Sequence, residues 1–183
     1  NLRYLDINKC KNLTEIDLNN TPMLEVFKAS GGWEFPPPYK IIDDIKGLKA
    51  LKFLRKLKLE YFDDLDDLSF LIKNKGLIDL ELTDRVGNLD TTTIAKLTQL
   101  QHLKFFRAGN LSNLNFLKDL QQLITLTVHS KIKTTEGIGN KPKLEYLDMG
   151  GSTIDVTEGF EGLPKLNEIR FGISKLKNMQ GLN

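Results

Sequence analysis

The chain contains very little cysteine, since Cys10 is its one thiol among 183 residues. A single cysteine excludes an internal disulfide framework and any zinc site built from several cysteines. The longest apolar runs are a few residues, far short of the roughly 20 that a membrane-spanning helix needs. An excess of one charge is also missing, because 26 basic residues stand against 24 acidic ones, for a net charge of +2. The sequence therefore predicts no general attraction to polyanions such as nucleic acid, and no membrane span.

Motifs of catalysis are missing as well. We find no glycine-rich phosphate loop, no HExxH metalloprotease motif and no GxSxG nucleophile elbow. Cys10 has no histidine near it in sequence, and we interpret it as a buried structural residue rather than a nucleophile. The sequence thus predicts neither an enzyme nor a bound cofactor or metal.

Leucine, in contrast, is abundant and regularly spaced. The chain has 32 leucines, and the frame LxxLxL, with apolar residues at its first, fourth and sixth places, recurs nine times. The frames begin at Leu2, Leu13, Leu24, Leu54, Leu77, Leu100, Leu123, Leu144 and Leu166. A repeat of about 20 to 25 residues indicates a solenoid. The alternation within each frame predicts a short strand with one buried face, and stacked copies form a parallel sheet.

Two stretches carry a family resemblance. LRYLDINKCKNLTEIDLNNTPMLEVF resembles the short double-strand repeats of bacterial surface proteins, and LQHLKFFRAGNLSNLNFLKDLQQL resembles the 22-residue repeats of internalins. On these residues the chain resembles bacterial leucine-rich-repeat (LRR) proteins over nearly its whole length. The resemblance implies an α/β fold: a right-handed solenoid with a concave parallel β-sheet and short helical or irregular convex segments. It also implies one domain over residues 1–183, with about eight repeats.

The segments between the strands fit this fold. Leu65, Leu68 and Leu71 in one of them, and the four leucines from Leu111 to Leu120 in another, recur every third residue. That spacing suits a short helix or 3₁₀ segment packed on the back of the sheet. We expect the first two 11-residue units to form one turn, with Leu2 and Leu24 on the sheet and Leu13 on the opposite side.

Three features depart from a regular array. The ninth place of the frame, usually asparagine in LRR proteins, is never asparagine along the sheet repeats, so we expect serine hydroxyls, water or different turns to replace the usual hydrogen-bond ladder. An insertion at about residues 31–40 carries Trp33, Phe35 and Tyr39. Packing over a junction is our first interpretation of these aromatics, and contact with a ligand is the second. Polar caps are expected at both ends of such an array, and neither is evident, so we expect either that the chain is part of a longer protein or that atypical packing covers the two ends.

The exposed strand positions form columns across the predicted sheet, and much of their charge has a structural explanation. Lys56 is expected beside Asp79, Lys58 beside Glu81, Glu81 beside Lys104, and Asp148 beside Arg170. Opposite charges on neighbouring strands stabilise a sheet by a few tenths to about 1 kcal/mol per pair. A second group of charges, which recurs every third residue at Lys46, Lys49, Lys52 and Arg55, we interpret as a solvated convex face.

The later repeats contain the strongest candidate binding site. Phe106 and Tyr146 share the exposed face with both histidines of the chain, and aromatic side chains dominate recognition energy. The candidate residues are His102, Lys104, Phe106, Thr125, Thr127, His129, Tyr146 and Asp148. The two histidines are separated by roughly 13 Å along the strand direction, so they cannot share one metal ion.

From the resemblance and this patch together, we predict a non-catalytic, monomeric module that binds a protein on its concave face. Such a module is expected at a bacterial surface or secreted, as an adhesin or receptor, although a cytoplasmic location stays open. Two alternatives also stay open: a substrate-recognition or autoinhibitory part of a larger enzyme, and carbohydrate binding by the threonine, histidine and tyrosine side chains.

Overall fold

A computed structural model gives the fold of the chain. It describes residues 1–8, 10, 13, 15–30, 44–62, 67–83, 89–107, 111–154 and 159–172. The insertion at about 31–40, with Trp33, Phe35 and Tyr39, lies outside the described residues, as does Leu65. The role of that insertion therefore stays a prediction, and so does the division of the chain into about eight repeats.

Within the described residues the chain forms short strands separated by shorter helical segments. The strands are β1 (Tyr4–Ile7), β2 (Glu15–Asp17), β3 (Val26–Ser30), β4 (Asp44–Lys46), β5 (Lys56–Glu60), β6 (Asp79–Thr83), β7 (His102–Phe106), β8 (Thr125–His129), β9 (Tyr146–Met149) and β10 (Glu168–Phe171). The helical segments are the α-helix α1 (Thr91–Ile94) and 3₁₀ helices at Leu48–Ala50, Ser69–Lys73 and Asn115–Leu117.

These strands form one long parallel sheet and one small parallel sheet. The long sheet has the order β1-β3-β5-β6-β7-β8-β9-β10, so each strand lies beside the one from the next turn. The second 11-residue unit contributes β2 to a separate sheet with β4, and Leu13 packs against the core. The predicted LRR solenoid is confirmed, and so is the prediction that the first two short units make one turn.

Leucine fills the interior because its repeat position recurs in register on every strand. Leu57, Leu80, Leu103, Leu126 and Leu147 are direct cross-strand neighbours, each no more than 1% exposed. The leucines of the return segments cover the other side of this layer and are also buried: Leu68, Leu71, Leu111, Leu114, Leu117 and Leu120. The 3₁₀ helices at Ser69–Lys73 and Asn115–Leu117 have the conformation that the three-residue spacing predicts.

The turns after the strands are held by backbone hydrogen bonds where an asparagine ladder would usually stand. The amides of Tyr61, Arg107 and Thr153 donate to carbonyls of the neighbouring turn at 2.8–2.9 Å. Tyr61 and Arg107 reach this position with left-handed backbone, at φ 62° and 54°. Ser152 is buried, yet its hydroxyl has no hydrogen-bond partner. Of the replacements that we expected, a different turn is therefore the one found at these positions.

Cys10 is a correction to the sequence interpretation. Its ninth-place position predicted a buried side chain, but the thiol is exposed. The first turn explains the difference. β1 is an edge strand, and its inward-facing Leu5 and Ile7 are only partly buried, so the residues that follow it are not enclosed by a preceding turn.

Candidate functional site

The exposed face of the long sheet displays two side-chain columns with one residue per strand in each. The seventh-place residues of the frame, among them Phe106, His129 and Gly150, lie at or just beyond the ends of the strands. The register confirms the predicted neighbours from β1 to β10. The third-place column is Tyr4, Val26, Lys56, Asp79, His102, Thr125, Tyr146 and Glu168, and the fifth-place column is Asp6, Lys28, Lys58, Glu81, Lys104, Thr127, Asp148 and Arg170. The charged or aromatic group at each place on the face therefore depends on which strand carries it.

The middle of this face is a network of ion pairs. Lys56 contacts Asp79, and Glu81 lies between Lys58 at 3.4 Å and Lys104 at 2.9 Å. Burial acts to lower the pKa of Lys58, but Glu60 and Glu81 raise it overall. These cations are already paired within the sheet, which confirms the structural interpretation for three of the four predicted pairs.

The fourth predicted pair, Asp148 and Arg170, is also a pair of cross-strand neighbours. The guanidinium Nη2 of Arg170, however, lies 2.6 Å from Glu168 of its own strand, so its close ion pair is made within β10. Glu168 also raises the pKa of Arg170. The Asp148 carboxylate accepts its hydrogen bonds from the Gly150 amide and the Tyr146 hydroxyl, which belong to the same turn.

The candidate patch is organised around contact between Phe106 and His129. Their ring centroids lie 4.2 Å apart, with the ring planes tilted by 52°. The Lys104 ammonium also stands over the Phe106 ring, 5.1 Å from its centroid. Phe106 thus contacts both an imidazole and an ammonium group, which restrict its ring on the face.

His129 also contacts Asp148. His129 Nε2 lies 2.9 Å from Asp148 Oδ1, although this ring nitrogen makes no directed hydrogen bond. The backbone amide of Gly150 donates to the same oxygen at 3.0 Å. A Cβ on Gly150 would lie 2.7 Å from His129 Nε2, so the imidazole occupies the space that a side chain at position 150 would need.

Tyr146 completes the patch. Its hydroxyl donates to Asp148 Oδ2 at 3.4 Å, and the Arg170 guanidinium stands 5.4 Å from the ring centroid. Burial, with the charge of Asp148 as a second cause, raises the pKa of the Tyr146 phenol. Lys104, Phe106, His129, Asp148 and Tyr146 therefore form one continuous set of contacts across β7, β8 and β9.

The remaining predicted residues lie beside this set. His102 Nδ1 is 2.9 Å from the Thr125 hydroxyl, and Thr127 lies between Lys104 and Asp148 in the register. Among the described residues no group of histidine, cysteine and carboxylate side chains is arranged to hold a metal ion. The polar groups of this face offer hydrogen-bonding and aromatic surfaces.

Half of the patch has a copy at the other end of the sheet. The Tyr4 hydroxyl donates to Asp6 Oδ2 at 3.2 Å, and Lys28 stands 5.2 Å from the Tyr4 ring centroid. The sequences YLDI and YLDM produce this Tyr-x-Asp arrangement twice, with a cation from the next strand each time. The copy has no counterpart of Phe106 or His129, so these two residues distinguish the patch from a repeated surface feature.

Sequence reasoning missed two participants, Gly150 and Arg170. The register makes Arg170 the neighbour of Asp148, and Gly150 directly follows β9, so both lie beside the candidate residues. The register does not determine which group each side chain contacts. Arg170 stands over the Tyr146 ring and pairs with Glu168, and Gly150 contributes by leaving the space that the His129 ring occupies.

Comparison with known proteins supports the fold. No protein-family model and no curated protein matches the sequence. The structure is similar to that of an internalin, InlF, from Listeria monocytogenes, with a TM-score of 0.58 and 18% sequence identity. The match covers 100% of this chain and 62% of the internalin chain, so this chain spans less than two thirds of that protein. The likeness establishes an internalin-like LRR fold.

Proposed function

We propose that this chain is a non-catalytic module that binds a protein partner through the Phe106 patch, defined as Lys104, Phe106, His129, Tyr146 and Asp148. His102, Thr125 and Thr127 form its rim. The observation that supports the proposal is the continuous set of contacts from Lys104 to Tyr146 across three strands. Curved sheets of solenoids are common binding surfaces, and an internalin-like fold agrees with that use.

The aromatic side chains of the patch are held in place before a partner binds. Each immobilised side chain costs about 0.5–1.5 kcal/mol of conformational entropy when a complex forms. Phe106 and Tyr146 are already held by neighbouring rings and charges, so little of that cost remains. Aromatic residues within a polar rim are also the composition of most binding hot spots. We infer a bacterial surface or secreted setting and a monomeric state from the same fold resemblance.

The test is capture of partners by the purified chain from host or neighbouring cells, quantified by mass spectrometry. We expect Phe106→Ala combined with Tyr146→Ala to lose the captured proteins, since truncation at a hot spot costs at least about 2 kcal/mol, or roughly thirtyfold in Kd. Gly150→Ala offers an independent variant, because its added methyl displaces the His129 ring without removing an aromatic residue.

A matched control is available in Tyr4→Ala. Tyr4 holds the same column position as Tyr146 and contacts the same types of side chain, but lies far from Phe106 in the strand order. Its removal should leave capture unchanged, and all variants should melt within a few degrees of the parent. Equal capture by the double variant and the parent would remove this patch from consideration. If the parent binds a glycan and the double variant loses that glycan without losing any captured protein, the carbohydrate alternative is favoured.

A further inference from the structure

Two large apolar side chains are exposed just before β3 and β5, along the edge of the long sheet where its strands begin and away from the Phe106 patch. Phe53 is 51% exposed and Met23 is 39% exposed. Each immediately precedes the buried leucine that opens its frame, Leu54 or Leu24, and the strands that follow, β5 and β3, are direct neighbours. Phe53 and Met23 therefore occupy the same repeat position on adjacent turns.

Apolar character at this position is confined to these two turns. The equivalent residues farther along the solenoid are Gly76, Gln99, Gln122, Lys143 and Lys165. A Cβ on Gly76 would meet no atom within 4 Å, so the next turn neither supplies a side chain at this position nor fills the space there. The exposure of Phe53 thus follows from its place at the end of a two-residue apolar strip.

Three cations flank the strip. Lys52 and Arg55 are near Phe53 in sequence, and Lys75 holds the position of Lys52 in the next turn; all three are exposed. Within the described part of the chain, none of them forms an ion pair or hydrogen bond through its side chain. The other two members of the basic group that recurs every third residue are paired, because Lys46 contacts Glu15 and Lys49 lies 3.5 Å from Asp67.

The acidic residue of this edge does not cancel that charge. The carbonyl of Glu25 accepts the Arg55 amide at 2.8 Å, so the two residues are cross-strand neighbours. The Glu25 carboxylate, however, contacts the guanidinium of Arg3 on its other side. The edge therefore combines exposed apolar groups with positive charge that no described carboxylate pairs with.

We propose that this Phe53 edge (Met23, Lys52, Phe53, Arg55 and Lys75) docks on a membrane surface that contains anionic lipid. Lys and Arg side chains near such a surface each contribute to attraction, and Phe and Met enter the headgroup boundary. Docking of this kind needs no spanning segment, and no helix in the described ranges is long and apolar enough to cross a bilayer.

An anionic bilayer fits this edge better than an acidic protein does. Phe53 and Met23 are exposed side chains of neighbouring turns, whereas protein hot spots are centred in well-packed pockets. A lipid interface accepts exposed apolar groups without a matching shape and supplies negative charge on every side. The complementarity of this edge is in charge and polarity.

The test is co-sedimentation of the chain with phosphatidylcholine vesicles, prepared with and without phosphatidylserine. We expect binding to the phosphatidylserine vesicles alone, and its loss at high salt, because exposed charges are screened. Phe53→Ser should weaken the binding about tenfold through lost apolar burial. Lys52→Glu with Arg55→Glu should weaken it more, since each cation near such a surface is worth about fivefold.

Gln122→Ser is the matched control, because it alters the same repeat position three turns away and should bind as the parent does. Phe106→Ala with Tyr146→Ala should also keep vesicle binding, so failure of this proposal and failure of the proposed function are separate results. No binding to anionic vesicles, or undiminished binding by Phe53→Ser, would overturn the proposal. Binding to poly-glutamate without binding to vesicles would also overturn it and would indicate an acidic protein.

Discussion

At the scale of single residues, the most informative position lies three places before the leucine that opens each frame. Leu97, Leu120 and Leu163 are apolar at this position, whereas Asn74 and Lys141 are polar and only 1% exposed. Asn74 satisfies its amide fully, since Oδ1 accepts from the Leu54 amide at 2.8 Å and Nδ2 donates to two carbonyls. A buried polar side chain is stable when its groups are paired in this way.

Lys141 is less well accommodated. Its ammonium donates to the carbonyls of Lys118 at 3.3 Å and Gly139 at 3.2 Å. Burial lowers the pKa of Lys141 from its ordinary value of 10.5, and the carboxylate of Asp119 offsets only part of that effect. The charged form is therefore destabilised by folding.

We predict that Lys141→Met raises the free energy of unfolding near neutral pH by about 1 kcal/mol, because it replaces a buried ion with an apolar side chain of similar length. In the parent, the folded-state pKa lies below the unfolded value, so the unfolded chain binds more protons between the two. Parent stability therefore rises with pH through that window, and the advantage of the variant shrinks. Urea unfolding at neutral pH and near pH 10 measures both effects. A parent more stable than the variant at neutral pH would contradict the prediction.

At the scale of elements, α1 shows how a four-residue helix is fixed at one end. Asp90 caps it: Oδ1 accepts from the Thr93 amide at 3.0 Å, and Oδ2 accepts from the Thr93 hydroxyl at 2.6 Å. Burial acts to raise the pKa of Asp90, but the hydrogen bonds from Thr93 and Thr92 lower it overall. The ionised form of Asp90 is thus the one that stabilises this turn.

We predict that Asp90→Ala lowers the free energy of unfolding by about 1 kcal/mol at neutral pH, through loss of the N-cap. The folded-state pKa of Asp90 is depressed, so its contribution is complete above the unfolded value near 3.8 and is lost as pH falls through the folded value. Thermal melting of parent and variant from neutral to acidic pH should show the two curves converging. A constant difference at all pH values would mean that the charge has no part in the cap.

At the scale of the whole molecule, the apolar period determines most of what could be predicted. Leucine spacing gave the sheet, its order and the columns, because a slip of one residue would turn every buried leucine outward. Pairing on the surface is decided by short-range geometry instead. Asp148 contacts His129 and not Arg170, and Ser152 does not supply a ladder, because rotamers and turn conformations are not encoded in that period.

We predict that amide hydrogen exchange is slowest in β6, β7 and β8 and fastest in β1 and β10. In a solenoid each turn is stabilised mainly by its neighbours, so a turn with a neighbour on one side opens at lower free energy. The burial agrees, since inward residues are buried in β7 and β8 but only partly buried in β1 and β10. Mass spectrometry of exchanged peptides measures the gradient, and uniform protection along the chain would show that it unfolds as one unit.

The unbroken register of the long sheet has a consequence for how such a protein can change its length. From β5 to β8, residues exactly one period of 23 apart are cross-strand partners, as Leu57, Leu80, Leu103 and Leu126 demonstrate. Duplicating one whole period between such partners joins strands whose inward and outward positions already agree. Gain of a repeat between Leu77 and Leu100, the stretch that separates the two surfaces, therefore lengthens the distance from the Phe106 patch to the Phe53 edge by one strand spacing, about 4.8 Å, and leaves the residues of both surfaces in place.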